Sequence, residues 1–172
     1  MDRGELAKSY FMKGYNCSQS VALAFADLMG MDEHTAAKLA SSFGGGFGRM
    51  REVCGTFSGM VLVLGMLYGY DAANETETAN KKLHYARVQE LAERFRTEFG
   101  SIICRELLAG KAKEELKKGE NADGEQVAAM LSDSAVPTPR TEAYYKKRPC
   151  PDIVETGARI LETFMAELEN KN

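Results

Sequence analysis

Thr56-Phe57-Ser58-Gly59-Met60-Val61-Leu62-Val63-Leu64-Gly65-Met66-Leu67-Tyr68-Gly69-Tyr70 carries no acidic or basic side chain. The run is shorter than the roughly 20 apolar residues a membrane-spanning helix needs. It reads as a buried central helix, and no membrane insertion is expected. Gly55, Gly59, Gly65 and Gly69 lower its helix propensity, so another helix or a cofactor is expected to come close along that face.

Outward from this run, helical periodicity continues on both sides. Val21, Leu23, Ala24, Phe25, Leu28 and Met29 form a stripe after Cys17 that stops at Gly30, and Asp32 caps a shorter helix through Ala36, Ala37, Leu39 and Ala40. A long helix is predicted from about residue 77 to 99, and a last one over about 151–168 with Ile153, Val154, Ala158, Ile160, Leu161 and Phe164 on its apolar side. Between about 110 and 149 the composition turns polar, with Lys111 to Gly119 strongly charged and prolines at 137 and 139. This is read as an excursion carrying short helices, one of them at 124–132. No alternating strand pattern occurs, so the fold class is all-α, a single compact multi-helix domain over residues 1–172.

The chain has four cysteines, Cys17, Cys54, Cys104 and Cys150, in four separate segments, each beside a helix-start signal. Asn16 caps Cys17, with Gln19 placed for a capping box. Ser101 can cap the turn holding Cys104. Cys150 is expected at a cap, followed by Pro151 and Asp152. Cys54 opens the central apolar run. Unpaired amides and the positive end of the helix dipole favour a thiolate at such positions, suiting nucleophilic or metal-binding chemistry. The bland reading is that buried cysteines only fill core space. There is no C-x-x-C pair and no C-x-x-C-H haem motif, so any shared site has to be assembled by the tertiary fold.

The loop Ser42-Phe43-Gly44-Gly45-Gly46-Phe47-Gly48-Arg49 fits neither G-x-G-x-x-G nor the P-loop pattern, and no strand precedes it. Nucleotide binding is not expected. Its glycines, Gly45 and Gly46 among them, are instead expected to let backbone pass close to Cys54 and offer amides to sulfur or to an anion. Arg49 and Arg51 beside the loop either attract an anionic ligand or face solvent, and the solvent-facing reading is the one expected. Neither of the two histidines, His34 and His84, is tied by sequence to a cysteine. Serine-hydrolase elbows and zinc-protease helices are absent.

Composition narrows the classes further. The 172 residues are 44% hydrophobic and 27% charged with a net charge of −3, which offers no basic field for nucleic acid. Four cysteines are too few for a disulfide-dense secreted scaffold, and Met1 to Glu5 lead into no signal-peptide core, so a reducing cytoplasm is the expected compartment. Nine methionines and the glycine-bearing helix suit a partner surface as well as a core, a homodimer included.

Taken in order, Cys17, then Phe43-Gly44-Gly45-Gly46-Phe47-Gly48-Arg49, then Val53-Cys54-Gly55-Thr56-Phe57-Ser58-Gly59, then Phe99-Gly100-Ser101-Ile102-Ile103-Cys104-Arg105-Glu106-Leu107-Leu108, then Cys150, resemble the redox-active C_GCAxxG_C_C family over most of the chain. Thr56 stands where the motif has alanine. The chain is also similar to the portion of split-Soret cytochromes that carries an iron–sulfur cluster, but has no haem-attachment sequence. The resemblance implies redox activity with no defined reaction, and Cys17, Cys54, Cys104 and Cys150 as four ligands, with Gly55, Gly59, Gly45 and Gly46 around the cofactor. An iron–sulfur cluster and tetrahedral zinc both suit four thiolates. Two functions stay open: a redox protein using a cluster or thiol–disulfide exchange with an unidentified redox partner, or a non-redox helical module with structural zinc or inert thiols.

Overall fold

The computed structural model describes residues 2–71, 75–117 and 124–170. The fold is all-α: α1 (Arg3–Met12), α2 (Cys17–Ala24), α3 (Glu33–Ala40), α4 (Gly55–Tyr68), α5 (Glu75–Phe99), α6 (Cys104–Lys117), α7 (Gly124–Leu131), α8 (Glu142–Lys147) and α9 (Cys150–Glu169). Helix α4 packs against α2, α5 and α9, while α1 lies along α9 and also touches α2. The central helix is buried through Phe57, Met60, Val63 and Leu64, whereas toward its end Met66 is 53% exposed. Each large apolar side chain so buried contributes about 1.5–3 kcal/mol of transfer free energy. Among the described residues no helix is long and apolar enough to cross a membrane.

Helix α1 carries too short an apolar pattern for the sequence reading to single it out. Tertiary contact fixes it. Asp2 accepts the Glu5 amide at 2.8 Å as a cap and pairs with Arg159 of α9 at 3.1 Å, while Lys8 reaches Glu155 of α9 at 2.6 Å. Gly4 sits at the crossing, where a Cβ would fall 2.7 Å from the Glu155 carbonyl.

Two expected boundaries shift. The stripe read as running to Gly30 is helical only to Ala24, and the chain then turns until Gly30, whose φ of +66° reverses its direction. Gly110, read as the start of the polar excursion, lies inside α6. The excursion does carry the short helices α7 and α8, and its residues 118–123 lie outside those described. Among the described residues of α5, the second half joins the core, through Leu91 and Phe95, while Leu83 is 51% exposed.

Candidate four-cysteine site

Each cysteine stands at the start of a helix, as its local sequence signals. Cys17 is the first residue of α2, behind an Asn16 cap whose box closes in both directions, Asn16 accepting the Gln19 amide at 2.9 Å and Gln19 accepting the Asn16 amide at 3.1 Å. Cys54 is the cap of α4. Cys104 begins α6 and Cys150 begins α9, one position later than the expected cap, with Pro149 capping instead. Ser101 does not cap α6 directly; its hydroxyl accepts the Ile103 amide at 2.9 Å in the preceding turn.

Three contacts bring these helix starts together. Val53 and Ile103 form an antiparallel bridge in which the Cys54 amide donates to Ile102 at 2.8 Å and the Cys104 amide to Glu52 at 2.6 Å. At Gly55 a Cβ would lie 3.2 Å from the Cys17 Cβ, and at Gly59 one would lie 2.9 Å from the Ser18 carbonyl, so these glycines let α2 settle onto α4. Cys17 and Cys150 are close enough to share a hydrogen bond. The four cysteines thereby line one cavity of about 310 Å³. Cys17 and Cys150 are half-buried, Cys54 and Cys104 buried.

Of the glycines expected around a cofactor, Gly45 and Gly55 line this cavity. Gly59 instead packs on Ser18, and Gly46 backs onto Cys104, where a Cβ would be 2.8 Å from the Cys104 Cβ. The expected offer of loop amides to a ligand is corrected in part. The amides of Phe47, Gly48, Arg49, Met50, Arg51 and Glu52 donate to carbonyls between Ser42 and Phe47. Residues 45–49 and 51 all have positive φ, and this left-handed path turns the amides inward onto the loop itself.

The solvent-facing expectation is overturned for Arg51, while Arg49 is half-buried. Arg51 is 2% exposed and donates from Nε to the Ser132 carbonyl at 3.0 Å, yet its Nη2 has no hydrogen-bond partner. Arg49 ties the loop to Ser134 at 2.7 Å and to Thr138 at 3.1 Å. Arg140, stacked 4.7 Å from the Phe11 ring centroid, and Arg148, 7% exposed and 4.6 Å from the Tyr144 centroid, complete an arginine-lined wall that the sequence reading missed. Arg148 stands two residues before Cys150, the one local signal available; nothing in the sequence ties Arg140 to the site. Among the described residues no Asp or Glu lines the cavity. Neither histidine lines it either.

Electrostatics divide the four thiols. Burial pushes Cys54 up to about 12, outweighing the helix-start amides of Phe57 and Thr56. Cys104 is raised by burial and by Cys150, with Arg51 opposing. Cys17 is raised by the hydrogen bond it gives Cys150 and by burial. Only Cys150 is lowered, by that hydrogen bond first and then by Arg148, Arg140 and Arg51 against its own burial. Of the four, Cys150 alone is shifted toward the thiolate, and by Cys17 and the arginines rather than by its helix start, so the expectation that the helix starts favour thiolates is not met. Arg49 is itself lowered, by burial and by the charges of Arg51 and Arg148.

As a donor set, four thiols on one cavity wall, met by guanidinium N–H groups, suit a thiophilic and net negative group. Among the described residues no three His, Cys, Asp or Glu side chains are gathered tightly enough to hold a single metal ion. A tetrahedral Zn–S site with bonds of about 2.3 Å draws its sulfurs to within roughly 4 Å of one another. In a [4Fe–4S] cluster each thiolate binds its own iron, so the four cysteine sulfurs stand further apart.

A family model described as "Putative redox-active protein (C_GCAxxG_C_C)" matches residues 15–164. No curated protein and no solved structure gives a match.

Proposed function

This chain belongs to the C_GCAxxG_C_C family, and from that premise we propose that its four cysteines form one redox centre that holds an iron–sulfur cluster for electron transfer. The observation that carries this reading is the convergence of Cys17, Cys54, Cys104 and Cys150, from four separate helix starts, on a single cavity. When bound, the cluster supplies one-electron transfer. The four cysteines would hold it. Arg51 and Arg148 would offset its negative charge from within the wall, which favours the reduced form and raises the potential. Thr56, where the family motif has alanine, adds a fully buried hydroxyl to that wall with no partner for its Oγ1.

A second reading rests on the Cys17–Cys150 contact alone. In the metal-free chain a Cys150 thiolate attacks a partner disulfide, releasing one partner thiolate and forming a mixed disulfide. The Cys17 thiol, giving up its proton, then displaces the second partner sulfur and leaves the Cys17–Cys150 disulfide. The two electrons pass to the partner's sulfurs. Both cysteines are half-buried, which gives a partner access that Cys54 and Cys104 lack.

Iron, sulfide and zinc content, with a visible spectrum on protein made with added iron and purified without oxygen, tests the first reading. About two or four irons per chain with equal sulfide, lost in Cys54→Ser, is the expected result. About one zinc per chain would replace it with a structural site. A metal-free chain that forms the Cys17–Cys150 disulfide would leave the second reading standing.

A further inference from the structure

The cavity holds more positive charge than its thiols account for. Arg49, Arg51, Arg140 and Arg148 line it, and among the described residues no Asp or Glu does. Burying a guanidinium with an unmatched N–H is unfavourable unless an anion meets it. Here that cost arises twice, at Arg51 Nη2 and at Arg140 Nη1, both buried without a hydrogen-bond partner. Arg51 also sits at φ +60°, a left-handed backbone that is strained for a non-glycine residue. Strain, burial and an orphaned donor coincide at one side chain lining the cavity. Thr56 Oγ1 adds a third unpartnered group, a neutral donor.

We propose that this cavity binds a small oxyanion, a carboxylate or a sulfur or phosphorus oxyanion head group, between Arg51, Arg140 and Arg148 and against Cys150. The inference rests on the metal-free, thiol–disulfide reading of that site and names its substrate or effector class as anionic, since a cluster held by Cys150 would occupy the same space and the same arginines. Planar guanidinium groups present paired N–H donors that match such oxygens, and aromatic stacking of Arg140 on Phe11 and of Arg148 on Tyr144 holds two of them in place without consuming their outer donors. The cavity volume, about 310 Å³, falls at the small end of the roughly 300–1,000 Å³ spanned by ligand sites.

The test uses reduced, metal-free, full-length protein and two alkylating reagents of similar size, anionic iodoacetate and neutral iodoacetamide, with modification at Cys150 read by peptide mass spectrometry. Their rate ratio cancels the thiolate fraction, which both reagents share. The expected result is an iodoacetate-to-iodoacetamide ratio at least about tenfold above that of free cysteine, since a focused cationic field raises local anion concentration by this order. Sodium sulfate should slow iodoacetate saturably, beyond sodium chloride at equal ionic strength. Arg148→Gln should lower the ratio and the sulfate protection together, while Arg148→Lys retains part of both. Sodium acetate in place of sulfate separates a carboxylate preference from a tetrahedral oxyanion preference, either of which supports the site. A ratio equal to that of free cysteine overturns the proposal, as does sulfate protection no greater than chloride gives. Were Arg148→Gln not to fold, the wild-type ratio and sulfate protection decide by themselves. Iron content plays no part in this readout, so the anion site and the cluster stand or fall separately.

Discussion

Val53 and Ile103 form an antiparallel bridge, and each is followed at once by a cysteine that opens a helix. Two residues of sheet-like pairing in an all-α fold do what helix packing does not: they fix the backbones of Cys54 and Cys104 in register, through amides donated to Ile102 and Glu52 at 2.8 and 2.6 Å. The buried half of the site is therefore set by backbone and the half-buried half by side chains, Cys17 against Cys150.

Gly46 guards that register. Its φ is +74°, and a Cβ there would lie 2.7 Å from the Glu52 amide nitrogen and 2.8 Å from the Cys104 Cβ. Gly48 has a similar φ of +56° with open space around it. Both Gly→Ala changes carry a left-handed strain of about 1–2 kcal/mol, and Gly46→Ala adds an overpacking cost of about 1–3 kcal/mol. Denaturant unfolding should rank Gly46→Ala well below Gly48→Ala, with Cys104 more open to alkylation in the former alone. Equal losses would mean that the contact with Cys104 is unimportant.

Cys17 and Cys150 should be the first pair to oxidise. In metal-free protein a stoichiometric disulfide oxidant is expected to link these two before Cys54 or Cys104 reacts, because they share a hydrogen bond and partial exposure whereas the other two are buried. Mapping of the linked peptides checks it; a first disulfide through Cys54 would contradict the geometry.

Much of this was legible in the residues, and the rest was not for identifiable reasons. The Asn16-x-x-Gln19 box and the Pro151-Asp152 pair place Cys17 and Cys150 at helix starts because capping is local chemistry. Convergence is not local. Nothing between Cys17 and Cys150 in sequence says that α2 and α9 bring their first turns together, and the two glycines that let α2 meet α4, Gly55 and Gly59, read equally well as a cofactor face. Arg51 was misjudged because a charged residue beside a glycine loop is ordinarily solvated; only the left-handed path of that loop turns it inward. Helix α1 was invisible for a related reason, since α9 supplies most of its stabilising contacts.

Alkaline pH should destabilise the reduced, metal-free chain through Cys54. Its folded-state pKa is raised from 9.0 to about 12, so the folded form retains a proton that the unfolded chain has released. The associated stability is fully present below pH 9 and falls away as pH rises toward 12, by up to roughly 4 kcal/mol in total. Lysines and tyrosines titrate in the same range, so the informative quantity is the difference in slope. Urea unfolding of the native chain between about pH 8 and 10.5 should fall more steeply with pH than that of Cys54→Ala. Parallel slopes would show that the thiol ionises freely in the folded protein.

Helix α4 offers a test of which of its glycines work for the site. Gly59 faces α2, where a Cβ would meet the Ser18 carbonyl at 2.9 Å and the Val21 Cβ at 3.0 Å. A backbone carbonyl cannot swing aside as a side chain can, so Gly59→Ala must push α2 away, at a cost of about 1–3 kcal/mol. Gly65 lies one and a half turns on, with nothing within 4 Å of its would-be Cβ. There alanine only raises helix propensity, and Gly65→Ala should gain about 0.5–1 kcal/mol. Because Ser18 follows Cys17 directly, the displacement in Gly59→Ala should also carry Cys17 away from Cys54 and Cys150, slowing formation of the Cys17–Cys150 disulfide at equal folded fraction. Gly65→Ala should leave that rate unchanged. A Gly59→Ala variant as stable as the native chain, with native oxidation kinetics, would mean that the α2–α4 approach does not position the site.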